Sequence, residues 1–290
     1  MNNRTKGIVC MLLSALSFSF MNVFVILAGN IPVTQKTFFR NIVIVIITFL
    51  ILKYKDVPIN IPKKNRIHMF SRCLFGVVGV ICNFYAVDHM LLSDATMLNK
   101  VAPFFTIFFS AILIKEKATW VHYLLSIIAV SGCIFILKPT IDCLITMTAV
   151  IALCGGAFSG LAYTEVRILG VNQIHEDVIV FLFALFSCLV VSPSLIFEDV
   201  SITLTQFGFL LLIGASATSA QILVTASYKY AQASEVSVFD YTQIIFSTSL
   251  GYLFFNQLTD FLSILGYIVI FSSAFLLTIY NNRLHKIQRR

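Results

Sequence analysis

Apolar blocks close to 20 residues long recur from one end of this chain to the other, and short loops between them hold most of the charge. Twenty residues in a helix rise roughly 30 Å, the thickness of a bilayer's hydrocarbon core. With 59% hydrophobic and only 11% charged residues, the chain cannot cover itself with a polar surface; soluble domains carry roughly 25% charged residues. The blocks lack the apolar/polar alternation of barrel strands, so they read as helices. The pattern predicts an all-α integral membrane protein with ten spans, at about 7–28, 38–53, 67–87, 94–114, 119–138, 144–166, 178–197, 206–228, 235–255 and 261–280. The first block follows Arg4 and Lys6, as a signal peptide would, but it is too long for one and reads as a retained span.

The formal net charge of +7 suggests nucleic acid, but the placement of the charges argues against that partner. With a cytoplasmic N-terminus, the inner segments hold 15 Lys and Arg and the outer loops only Lys36 and Lys138. That bias predicts a multi-pass protein of the cytoplasmic membrane with both termini inside. Asp88, Asp142, Glu198, Asp199 and Asp260 fall outside and carry little orienting weight. The seven cysteines show no metal-ligand spacing and six lie inside apolar blocks, where a thiol behaves as a small hydrophobe. There is no phosphate loop and no H-E-x-x-H motif; no cofactor or metal is expected.

A shift of 141 residues superimposes the first five blocks on the second five without a gap. Gly29 falls on Gly170, Ser93 on Ser234, Ser131 on Ser272 and Glu116 on Gln257, while Asn99 pairs with Asp240. Five is odd, so the second copy must enter the membrane inverted. The expected organisation is residues 1–141 and 142–290, two inverted five-helix repeats around a central cavity, with a short basic cytoplasmic tail.

The segment Ser93–Glu116 holds Lys100 and Pro103 well inside a span. A lysine at that depth costs at least about 2.5–3.5 kcal/mol if it faces lipid, so it faces the bundle interior or snorkels outward. It is either a pathway cation or a structural lysine satisfied by carbonyls, Asp88 or Asp94. Pro103 cannot donate to the carbonyl of Asn99, and a kink there frees that carbonyl. Asp240 and Gln243 sit in the ninth span; an intramembrane carboxylate is a functional candidate by default. Counting residues puts Lys100 in the outer half and Asp240 in the inner half, which disfavours a direct pair between them. Arg72 lies nearer the level of Asp240 and is the expected gating or structural partner. Arg40, opening the second span, and Arg167, ending the sixth, read as interface anchors, with a functional role as the alternative for each. Asn22, Asn83, Tyr85, Tyr163, Gln221, Tyr228, Tyr241 and Gln243 form a polar and aromatic set suited to a cavity wall, or to helix–helix contacts.

The chain resembles the EamA-type branch of the drug/metabolite transporter superfamily over nearly its whole length. The resemblance rests on the two fives, FFRN at 38–41, NFYAVDHMLLSDATMLNKVAPFF at 83–105 followed by KEK, and SYKYAQASEVSVFDYTQIIFS at 227–247. The family's fourth-span proline and the acidic residue after it match Pro103 and Glu116; Ile244 and Gln257 depart from that pattern in the second half. The resemblance implies a basket of helices with a cavity formed by spans 1, 3, 4, 6, 8 and 9, a bacterial inner-membrane location, and secondary transport of small metabolites. Spans 5 and 10 would be peripheral, leaving a monomer or a homodimer.

The function expected is a transporter, not an enzyme, for a small polar solute by alternating access. Lys100 would attract a carboxylate or phosphate, while Asp240 would contact an amine or carry a coupling proton; the two signs suggest an amino acid or related zwitterion. The alternative is a membrane-embedded enzyme or scaffold acting on a lipid-linked substrate, with Glu165, Arg167 and His175 at one interface as its only clustered groups. No filter sequence supports a channel.

Overall fold

A computed structural model describes residues 2–89, 98–116, 118–137, 147–197, 202–256 and 261–288. Among these residues regular structure is entirely helical. The expectations for Asp94, Lys138, Asp142, Glu198, Asp199, Gln257 and Asp260 fall outside the described residues.

Ten helices of 12 or more residues follow in order. They are α1 Asn3–Leu27, α2 Val33–Tyr54, α3 Arg66–His89, α4 Ala102–Leu113, α5 Trp120–Leu137, α6 Met147–Val171, α7 Glu176–Val191, α8 Leu204–Tyr230, α9 Thr242–Phe255 and α10 Phe261–Gln288. Five of them (α1, α2, α6, α8 and α10) are long and apolar enough by length and composition to cross a membrane, and α4 and α5 are shorter apolar helices. The outer surface is correspondingly apolar: Leu253, Phe271, Leu189 and Leu50 are exposed, which suits lipid and not water.

Pro62 and Pro32 precede their helices, where a missing N–H costs nothing. α8 starts on a capping box, with Thr203 accepting from the Gln206 N–H and the Gln206 side chain accepting from Thr203.

α1 packs along α8, α3 along α6, and α5 along α10; α2 lies against α7, α4 against α6 and α1 against α9. These pairings map onto one another when each helix is exchanged with the one five places along. Helices meet closely because small residues line the contacts. A Cβ on Gly160 of α6 would stand 2.6 Å from Phe105 Cβ and 2.9 Å from the Ala102 carbonyl of α4. A Cβ on Gly155 would stand 2.9 Å from Cys82 of α3. Hydroxyls tie the same interfaces: Ser14 donates to the Ala220 carbonyl, Ser227 to Gly7 and Ser273 to Leu125. Gly160→Ala should destabilise the protein in detergent by about 1–3 kcal/mol through overpacking against backbone that cannot move aside; an unchanged melting temperature would contradict this packing.

Both termini lie at one end of the bundle, its terminal end. Arg4 pairs with Glu235, Glu116 accepts from the Ala233 N–H nearby, and Tyr280 of α10 donates to Thr119 just after Glu116.

Candidate functional site

α4 has 12 residues and α9 has 14, so each is only roughly 18–21 Å long. Each begins near the middle of the bundle and runs to the opposite end from the other. Before α4 the chain turns at Lys100 and Val101. Before α9 comes a short helix, Ala233–Val236, and then a 3₁₀ stretch, Ser237–Tyr241. Leu98 and Asn99 are helical and the helix resumes at Ala102, so the interruption falls at Lys100 and Val101, just before Pro103. Pro103 occupies the first turn of α4, where proline is tolerated. The carbonyls of Leu98 and Asn99, next to the break, face Gly156 of α6: a Cβ there would come within 3.2 and 3.4 Å of them.

Lys100 and Asp240 occupy these two breaks, and they meet. Lys100 Nζ donates to Asp240 Oδ2 at 2.9 Å and to Gln243 Oε1 at 2.6 Å. The side chains are 12% and 21% exposed, low for charged groups and yet not sealed. The expectation that the two do not pair directly is corrected. Residue counting assumed two straight α-helices, whereas the 3₁₀ stretch rises about 2.0 Å per residue instead of 1.5 Å and carries Asp240 further inward. The lysine's four-carbon stem closes the remainder.

Arg72 is not the partner of Asp240. Its guanidinium lies over the Phe183 ring of α7, 4.1 Å from the centroid, and 5.7 Å from that of Tyr163. Gly76, one turn along α3, makes room: a Cβ there would be 2.4 Å from Arg72 Nη1. Arg40 is likewise no interface anchor. Its Nε is buried, and Arg72 and Tyr163 are near enough for their charges to act on it.

Tyr163 stacks on Tyr228, centroids 5.3 Å apart, and the Tyr228 hydroxyl lies 3.3 Å from Ser237 Oγ. Asp240 is within electrostatic reach of Tyr163. Gln243 is held from behind by its carbonyl, which accepts from Ser19 Oγ of α1. Asn99, Asn83 and Gln243 are half-buried; Tyr85 and Asn22 are exposed. Gln221 is buried with its Oε1 accepting no bond. Tyr241 is fully buried in the main apolar core, which removes it from the accessible wall expected of it. Neither of two surface pockets is lined by Lys100 or Asp240: an apolar one of about 270 Å³ runs between α3 and α7, and another of about 320 Å³ sits under the 57–62 and 172–175 loops.

The terminal end carries a set of ion pairs that sequence reasoning missed. Arg167 Nε donates to Glu116 Oε1 at 2.6 Å, and its Nη1 donates to the Tyr228 and Lys229 carbonyls. Glu116 Oε2 accepts from the Ala233 N–H at 3.1 Å. One arginine and one glutamate thus join the ends of α4, α6 and α8 to the segment leading into α9. Around them stand Lys229–Glu176, Lys55–Asp177 and His68–Glu165. Burial alone would raise the Glu176 carboxyl, but the hydrogen bond from Lys229, a backbone N–H and the nearby charges of Lys229 and His175 together outweigh that and hold it below the usual range. Glu165, Arg167 and His175 do not converge: they engage His68, Glu116 and Asp177 respectively. Partners 51 to 122 residues apart leave no spacing signal; the positively charged loop ends were the only hint. Among the described residues no group of three or more His, Cys, Asp or Glu is placed to hold a metal.

A model of the EamA-like transporter family matches residues 5–138 and again residues 146–279, two matches that begin 141 residues apart. The pseudopaline exporter CntI of Pseudomonas aeruginosa is 30% identical over 268 residues, covering 91% of this chain and 93% of that protein. An uncharacterized transporter of Helicobacter pylori is 25% identical, covering 94% of each. A crystal structure superposes with a TM-score of 0.83 at 15% identity, over 94% of this chain and 98% of that one, and shows the fold alone. With both halves matched and a relative aligned end to end, this multi-pass membrane protein belongs to the EamA-like transporter family.

Proposed function

We propose that the chain is a secondary transporter that moves a small polar metabolite across a bacterial cytoplasmic membrane by alternating access. The observation that carries this reading is the Lys100–Asp240–Gln243 contact, made where two half-length helices begin in mid-bundle. Interrupted helices that meet at a charged site are how transporters place solute and coupling ions at the midplane. The exchange symmetry of the helix pairings and the doubled family match support ten spans arranged as two inverted repeats. The basic residues at the terminal end support cytoplasmic termini.

The ion pair also revises the roles assigned to its members. Lys100 and Asp240 neutralise each other at rest, so a solute amine or carboxylate, or a coupling proton on Asp240, competes with the pair and loosens it. The relative named for exporting pseudopaline makes export the direction to test, and pseudopaline the first solute. Reconstituted into liposomes, the parent should transport its solute faster with a pH gradient than without. Lys100→Ala and Asp240→Asn should each reduce initial rates at least tenfold at equal insertion. Parent-like rates in both variants would dismiss the site. The family match favours transport over the enzyme reading, and the one cluster that reading named is dispersed among separate ion pairs.

A further inference from the structure

Two arginines buried at Nε have no counter-ion among the described residues, and neither is at the Lys100 break. Arg40 of α2 and Arg72 of α3 flank Tyr163, and neither forms an ion pair or hydrogen bond among the described residues. The Nε of each is buried without an acceptor. Arg72 is 3% exposed, and its only contacts of note are the Phe183 and Tyr163 rings. Arginine stays charged at any physiological pH, so neither group can escape its burial by losing a proton. They stand close enough to repel. Two unpaired like charges in the middle of a membrane bundle are costly; a fold that keeps them keeps a place for an anion.

Arg40 and Tyr163 are partly buried and retain some accessible surface. Tyr163 is close enough to Arg72, Arg40 and Asp240 for all three charges to act on it, and the Arg72 guanidinium lies 5.7 Å from its ring centroid. The net charge of Arg40, Arg72, Lys100 and Asp240 is +2, and the Lys100–Asp240 pair accounts for none of the excess.

We propose that Arg40 and Arg72, with Tyr163 between them, form a binding site for the carboxylate groups of the solute, and that the solute carries at least two such groups. The planar fork of each guanidinium takes a carboxylate through two parallel N–H donors, and the Tyr163 hydroxyl adds a third donor. The site rests on the transporter reading and narrows its substrate from any zwitterion to a solute with net negative charge. Phe183 forms the floor under Arg72, and Gly76 leaves the guanidinium room to lie flat against it.

The test is ligand-dependent thermal shift of the purified full chain in detergent, in chloride buffer, with citrate and succinate as probes, inorganic phosphate as a second arm and putrescine as a cationic control. Saturable stabilisation by citrate and succinate in the low millimolar range is expected, with none from putrescine. Arg40→Gln and Arg72→Gln should each weaken the apparent affinity at least tenfold, while Arg283→Gln, on the exposed tail, should match the parent. Arg40→Lys and Arg72→Lys keep the charge and lose the fork; they should fold as the parent does and still bind at least fivefold more weakly. A shift produced by phosphate and not by either carboxylate overturns the assignment, as does a parent that no anion stabilises. Either result leaves the transport test on Lys100 and Asp240 standing, because a neutral or cationic solute would fail here and pass there.

Discussion

Replacing Lys100 by Met should destabilise the protein by about 2–3 kcal/mol, and replacing both Lys100 by Met and Asp240 by Leu should restore most of that loss. Removing one partner of a fully buried pair costs about 3–5 kcal/mol, because the other charge is left stranded. Lys100 and Asp240 are 12% and 21% exposed, and the access of water to both discounts the upper figure. The lysine variant leaves Asp240 with no cation in contact and leaves Gln243 Oε1 without its donor. The double variant strands no charge, and apolar replacement of a buried pair is often neutral. A double-mutant cycle read by unfolding in detergent should therefore give a coupling energy of about 2 kcal/mol. Transport measured on the same four proteins separates two roles. A pair that serves only the fold recovers transport together with stability. A pair that solute or proton must loosen recovers stability alone, and that is the expected result. Additive single-variant effects would show that the contact is not energetically coupled.

Much of the architecture is legible in the sequence, because a bilayer imposes one length on every apolar block. The helices over 3–27, 33–54 and 204–230 fall on expected spans to within a few residues, and the lysines and arginines mark the loop ends. The 141-residue shift was readable because it keeps five blocks in step, even where identities are few. What was not legible is where a helix stops being a helix. Pro103 marks the first break, but VSVFDY, at 236–241, is an apolar run with one carboxylate and nothing that announces a 3₁₀ turn. Depth counted at a uniform rise then disfavoured the pairing of Asp240 with Lys100. Arg40 shows the same limit from the other side. As the eighth residue of its helix it reads as an anchor, and only the packing of α2 against α7 and α8 shows that it points into the bundle. Local rules give length and order; the partner of a charge 140 residues away is set by tertiary packing.

Arg167→Ala should open the terminal end. The arginine is the single donor that reaches Glu116 and the carbonyls of Tyr228 and Lys229 at once, so its loss removes three contacts that bridge α4, α6 and α8. Glu116 is then left buried with only the Ala233 N–H. Breaking such a pair costs the closed arrangement about 3 kcal/mol or more, and every 1.4 kcal/mol is tenfold in a two-state equilibrium. The open population should therefore rise by about two orders of magnitude. Ser237 reports it: the residue is fully buried, bonded to Tyr228, and three positions from Asp240. With Ser237→Cys as the sole cysteine, a membrane-impermeant maleimide applied from the side of the termini should label slowly in the parent and roughly 10²-fold faster when Arg167 is Ala. Glu116→Gln should act in the same direction and more weakly, because the amide oxygen still accepts from Arg167, while the NH2 group in place of Oε2 can no longer accept from the Ala233 N–H. The outlying Lys55–Asp177 pair, whose lysine is 47% exposed, supplies the contrast. Lys55→Ala should leave the labelling rate near the parent's, since a half-solvated pair contributes little. Equal acceleration by Lys55→Ala and Arg167→Ala would mean that closure depends on the summed charge of this end and not on the Glu116–Arg167 junction.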